Sequence, residues 1–189
     1  MADWDERYSR GEHATLEPHH LLIRLAETLP AGVALDVACG AGRHALYLAG
    51  RGWRVTAVDA SKVGIGITKE RARSLGVEVD ALVADLEQNG FEIESQAYDL
   101  ICDFYYLQRD LWPKLREGVR KGGLFIAAIH LGGEDAGKET RNPAFLLQPG
   151  ELRDEFDGWE VLHYHETSLN DEDAGEHRHR TAEIVARKT

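Results

Sequence analysis

The stretch LDVACGAGRH, residues 35–44, constrains this chain more than any other. An apolar run carrying one acid, Asp36, breaks at Gly40 and Gly42, and RHALYLAG follows with the apolar spacing of a helix. A strand that passes through a glycine turn into a helix is the junction of a βαβ unit. There, unpaired N–H groups at the helix start converge on one point. Glycine at 40 and 42 lets the backbone adopt conformations, and accept close approaches, that side chains prevent.

The rest of the chain repeats that alternation. VALDVAC (33–39), WRVTAVD (53–59), VEVDALVAD (77–85), YDLICDFYYL (98–107) and GGLFIAAIHL (122–131) read as strands. Several are apolar on both faces, as in a parallel sheet covered on both sides. LLIRLAETL (21–29) and RDLWPKLREGV (109–119) read as helices, the second with Pro113 in its first turn. VGIGITKERARSLG (63–76) is a helix whose propensity Gly64 and Gly66 lower. PGELRDEFDG predicts a short helix. WEVLHYHET (159–167) and HRHRTAEIVARK (177–188) alternate strongly and suit an antiparallel pair. The order is βαβαβ, βαβ, short helix, hairpin, which specifies one α/β domain over residues 1–189.

Net charge is −11, from 22 basic against 33 acidic side chains, and opposes both a nucleic-acid backbone and an anionic membrane. Neither is expected as a partner. The opening MADWDERYSRGEH lacks the apolar core of a signal peptide, and no run approaches the roughly 18 apolar residues of a membrane helix. A cytoplasmic protein, monomer or homodimer, is expected, with Cys39 and Cys102 as buried reduced thiols. Nine histidines occur without CxxC or HExxH spacing, so no metal site is expected.

The acids at strand ends describe a ligand. Asp59, closing the strand after the glycine turn, stands where a carboxylate takes two ribose hydroxyls. Asp85 can accept from an exocyclic amine while Leu86 packs on the flat face of a base. The turn reads Ala38-Cys39-Gly40-Ala41-Gly42-Arg43, not GxGxxG, and Asp36 would repel a pyrophosphate yet suit a cationic amino group. A nucleoside carrying an ammonium group fits. S-adenosylmethionine is such a molecule.

At these residues the chain resembles the class I S-adenosylmethionine-dependent methyltransferases over essentially its full length. LDVACGAGRHALYLAGRGWRVTAVDAS is similar to their glycine motif and second-strand acid, and YDLICDFYYLQRDLWPKLREGVRKGGLFI to their fourth-strand motif. WDERY, GRHALYLA, GEL at 150–152 and a closing ARK are most like the small tellurite-resistance type. The resemblance implies a Rossmann-like three-layer sandwich with strand order 3-2-1-4-5-7-6 and strand 7 antiparallel. It further implies that Asp36, Ala38, Gly40, Gly42, Arg43, Asp59, Ala60, Asp85, Leu86, Asp103 and Phe104 line the cofactor. Alanine at 38 departs from the usual glycine. The product would be S-adenosyl-L-homocysteine.

Residues 1–31 are expected to form a helical cover, with Trp4, Arg7 and Tyr8 over the cofactor or acceptor, and residues 132–147 an acceptor-side loop. Methyl transfer is an in-line displacement, so the enzyme positions the acceptor and removes a proton where one must leave. Candidates are Tyr105, Tyr106, Arg109, His130, His177 and His179. HRHR allows two His-Arg registers. A small-molecule acceptor is expected; protein methylation and a non-catalytic, cofactor-binding regulatory role are the alternatives.

Overall fold

The computed structural model describes residues 4–12, 14–132, 142–167 and 180–189. Val33–Val37 (β1), which leads into the glycine turn, lies inside the sheet, with strands on both sides. It pairs in parallel with Arg54–Asp59 (β2) and with Tyr98–Phe104 (β4). Asp80–Val83 (β3) extends the sheet beyond β2, and Val119–His130 (β5) beyond β4, both parallel. Thr181–Arg187 (β7) then runs antiparallel to β5, with Glu160–Glu166 (β6) antiparallel at the edge. The order is 3-2-1-4-5-7-6, as the resemblance implies.

Among the described residues the α-helices are Trp4–Ser9 (α1), His20–Ala26 (α2), Arg43–Ala49 (α3), Lys62–Leu75 (α4), Trp112–Gly118 (α5) and Glu151–Glu155 (α6). Period-two alternation explains why helices are needed on both faces. Leu35 and Val37 of β1 join one core with Ile101, Phe125 and Phe156, while Ala34 joins another with Leu22, Leu48, Ile65 and Ile126. Phe125 and Phe156 stack with ring centroids 4.4 Å apart. Each such fully buried side chain contributes about 1.5–3 kcal/mol.

Several boundaries differ from the sequence reading, each for a local reason. The strand expected over 77–85 keeps only Asp80–Val83, so Asp85 belongs to the turn that follows. The strand expected to reach 107 stops at Phe104, because Tyr105 turns the chain with φ +65°. β5 starts at Val119, in residues read as the end of a helix; an irregularity between Tyr98 and Leu100 accommodates the longer pairing with β4. His177 and His179, read as part of the last strand, lie outside the described residues, as does most of the predicted 132–147 loop. Cys39 and Cys102 are buried and free. No helix among the described residues is long and apolar enough to cross a membrane.

Candidate cofactor site

Three left-handed residues shape the turn after β1: Ala38 (φ +50°), Gly40 (φ +56°) and Gly42 (φ +79°). An alanine in that conformation costs about 1–2 kcal/mol, so the turn is held by its surroundings. The Gly40 amide donates to Asp59 Oδ2 at 2.8 Å, and the Cys39 amide to the Val58 carbonyl at 3.0 Å. From α4, Thr68 Oγ1 donates to the Gly40 carbonyl at 3.2 Å, and Arg71 donates to the Ala41 carbonyl at 3.0 Å. A Cβ on Gly42 would lie 2.5 Å from the Thr68 side chain. One on Gly64 would lie 2.9 Å from the Gly40 carbonyl oxygen. Gly64 therefore has a purpose that helix propensity hid: it lets α4 approach the turn.

Asp59 occupies the rim of this turn. Its second oxygen accepts from the Ser61 amide at 2.7 Å, and burial raises its carboxyl pKa against the pull of both amides. Ala60, beside it, is exposed. Below the turn lie two more acids. Asp36, 1% exposed, accepts from the Ala45 amide at 3.1 Å, and burial raises its pKa to about 7. Asp103, also 1% exposed, sits on the neighbouring strand, where Val37 pairs with it. Burial, then the charge of Asp36, holds its carboxyl well above the usual range, and Oδ1 has no hydrogen-bond partner. Asp103, with an unsatisfied buried acceptor, suits a group that brings a hydrogen-bond donor.

Asp85 and Leu86 lie in the turn after β3. Asp85 accepts from the Glu87 amide at 3.0 Å and Gln88 Nε2 at 2.9 Å. Leu86 is buried, and its carbonyl accepts from Gln108 Nε2 at 3.3 Å. Gln108 in turn accepts from the Tyr106 hydroxyl at 2.6 Å, which ties the end of β4 to this turn. Phe104 is buried and stacks on His44 at 4.0 Å; Arg43, in the first turn of α3, lies 5.4 Å from the centre of the Tyr105 ring.

The N-terminal cover is anchored by a residue the sequence reading missed. Asp5 Oδ1 accepts from Ser61 Oγ at 2.5 Å and from the Val63 amide at 3.1 Å, fixing α1 to the start of α4. These hydrogen bonds hold the Asp5 pKa low. Tyr8 is buried, with its hydroxyl in the space that a Gly40 side chain would fill. Trp4, more exposed, stacks on Tyr8 at 5.8 Å, and Arg7 lies over Trp4 at 4.7 Å while pairing with Glu12 at 3.1 Å. Tyr8 thus reaches the glycine turn directly, with Trp4 and Arg7 behind it.

On the acceptor side, His130 ends β5 half-buried, its ring 5.1 Å from Tyr105. The Arg109 guanidinium pairs with Glu151 and donates to the carbonyls of Ala144 and Leu146, both at 3.0 Å, and so ties down residues 144–151. Sequence reasoning also missed His19, His20 and His163, which gather round a buried carboxylate, Glu183 of β7. Burial lowers the His19 pKa to about 3. The signal for Glu183 was present: it is an acid inside an apolar strand, TAEIVA, as Asp36 is in LDV.

The chain matches the family described as "TehB: Tellurite resistance protein TehB" over residues 3–186. It is 25% identical, over 97% of its length, to the Haemophilus influenzae protein named "Probable S-adenosyl-L-methionine-dependent methyltransferase TehB". It spans 66% of that relative. The crystal structure of TehB from Haemophilus influenzae superposes with a TM-score of 0.79 at 23% identity, covering 98% of this chain and 67% of the other. A ribosomal protein L11 methyltransferase of Symbiobacterium thermophilum is 30% identical over 82% of this chain and 50% of its own. A geranyl diphosphate methyltransferase structure, in complex with GPP and sinefungin, shares the fold. Its TM-score is 0.68 at 16% identity, with coverage of 89% and 77%.

Proposed function

The chain belongs to the tellurite resistance protein TehB family, and from that premise we propose that it is an S-adenosylmethionine-dependent methyltransferase acting on a small molecule. The observation that carries this reading is the Asp59 carboxylate, held at the rim of the glycine turn by the Gly40 amide at 2.8 Å. An acid fixed there can accept from ribose hydroxyls on its remaining lone pairs. The ammonium group goes to Asp36, the adenine to Asp85 and Leu86, Asp103 lies beside the sulfonium at the end of β4, and Tyr8 closes the turn from α1. Arg43 and Phe104 border the methionine side, with Ala38 and Gly42 shaping the backbone there.

When bound, S-adenosylmethionine supplies an electrophilic methyl group on a sulfonium. The protein orients an acceptor in line with it and keeps water out. His130, beside Tyr105 at the end of β5, is the residue we assign to taking a proton from a neutral acceptor. His177 and His179 are further acceptor-side candidates, on sequence grounds alone. The net charge of −11 weighs against a nucleic-acid partner, and the acceptor proposed is a small molecule, in keeping with the neighbour named geranyl diphosphate methyltransferase. The similarity to an L11 methyltransferase favours protein methylation as the second reading.

Incubation with methyl-labelled cofactor and a fractionated cell extract tests the assignment. Label recovered in the low-mass fraction supports it; label confined to protein supports the second reading. Cofactor binding with no transfer to either fraction would point to a regulatory protein.

A further inference from the structure

Glu183 is 5% exposed in the middle of β7, between β5 and β6. Among the described residues its ion-pair partners are all imidazoles, not lysines or arginines. His19 Nε2 lies 3.6 Å from Oε1, and His20 Nε2 lies 3.7 Å from Oε2. Both separations exceed a hydrogen bond. They are instead close to the edge of a tetrahedron of ligands around zinc, about 3.4 Å for metal–ligand bonds of about 2.1 Å. The ligand atoms of His19, His20 and Glu183 all lie within 4.8 Å of one another.

We propose that His19, His20 and Glu183 form a binding site for one divalent transition-metal ion of the zinc type. Two imidazoles and a carboxylate are a borderline donor set, unsuited to calcium or magnesium, which take oxygen ligands. The backbone explains how consecutive histidines converge. His19 is the extended residue before α2 and His20 its first helical residue, so their rings face each other at 4.4 Å instead of diverging along a strand. His163, on the adjacent β6, approaches Glu183 Oε2 at 3.3 Å and orients the carboxylate as an outer partner.

Metal coordination through His19 Nε2 puts the ring proton on Nδ1. The 3.3 Å hydrogen bond that Nδ1 accepts from the Leu21 amide is then exchanged for the coordinate bond. The expectation of no metal site rested on local spacing. Here strand pairing in the sheet brings residues from opposite ends of the chain together, and no spacing rule sees that. Three protein ligands leave a fourth position open. The His19 ring stands 5.1 Å from Phe104, so the proposed site adjoins the end of β4.

The test uses the full chain, stripped with chelator and dialysed against zinc without S-adenosylmethionine, so its outcome is independent of the methyltransferase reading. One tightly bound zinc per chain is expected, with affinity falling at least hundredfold in Glu183→Gln and in His20→Ala. Cobalt in place of zinc should give the strong visible bands of a four- or five-coordinate ion, lost in both variants. His177→Ala/His179→Ala should bind zinc as the parent does. His20 is exposed, so His20→Ala carries the test if Glu183→Gln does not fold. The proposal is overturned if no zinc is retained, if zinc survives His20→Ala, or if it is lost in the His177/His179 pair.

Discussion

The Asp59 carboxylate accepts from the Gly40 amide at 2.8 Å and from the Ser61 amide at 2.7 Å, so the acid proposed to hold a ribose also braces the glycine turn. Asp59→Ala removes both functions. Affinity for S-adenosylhomocysteine should drop at least tenfold, from lost charge-assisted hydrogen bonds of about 1.5–3 kcal/mol each. The ligand-free protein should also lose about 1–3 kcal/mol, since two amides are left without their acceptor. Calorimetric titration and urea unfolding read the two effects separately. An unchanged midpoint would remove the bracing role.

Asp36 links binding to pH. Burial raises its pKa from 3.8 to about 7, so between those values the folded protein holds a proton that the unfolded chain has released. Stability of the ligand-free protein therefore falls as pH rises through that window, and Asp36→Asn should flatten the fall. A bound ammonium favours the ionised carboxyl. Cofactor binding should accordingly expel a proton and strengthen as pH passes upward through about 7. Calorimetry in buffers of different ionisation enthalpy measures that proton. Proton uptake would contradict the placement of the ammonium at Asp36.

Gly40 and Tyr8 compete for one volume. A Cβ on Gly40 would lie 2.2 Å from the Tyr8 hydroxyl, at a φ of +56°. Gly40→Ala should displace α1 and weaken S-adenosylhomocysteine binding by more than tenfold. Adding Tyr8→Ala relieves the clash but not the strained φ. The double variant should thus be more stable than the sum of the single effects by about 0.5–3 kcal/mol. Strict additivity in thermal unfolding would mean that the two residues do not meet.

Ala38 carries strain that glycine would not. With φ at +50°, Ala38→Gly should raise stability by up to about 1 kcal/mol, part of the relief being offset by a freer unfolded chain. Binding of S-adenosylhomocysteine should be retained. A loss of stability in denaturant titration would show that the methyl group packs usefully.

The sheet was legible because its signals are local. Apolar runs and glycine turns announce the strands within a dozen residues, with Asp36 inside β1 and Asp59 closing β2. What was not legible depends on contacts across the chain. Asp5 caps α4 from a helix far back in the sequence, and Arg109 pairs with Glu151 of the later helix α6. Glu183 stands out as an acid in an apolar strand, but only the pairing of β7 with β5 and β6 brings it among histidines. Even the end of β4 was set by one left-handed residue, Tyr105, whose side chain type gives no warning of it.

A competition titration between S-adenosylhomocysteine and NAD tests the cofactor assignment most directly, because both present adenosine and only one presents an ammonium. With a turn that lacks GxGxxG and the buried acids Asp36 and Asp103 beneath it, the protein should bind one S-adenosylhomocysteine per chain. NAD should not displace it at tenfold excess. Tight NAD binding, with weak or no response to S-adenosylhomocysteine, would contradict the account.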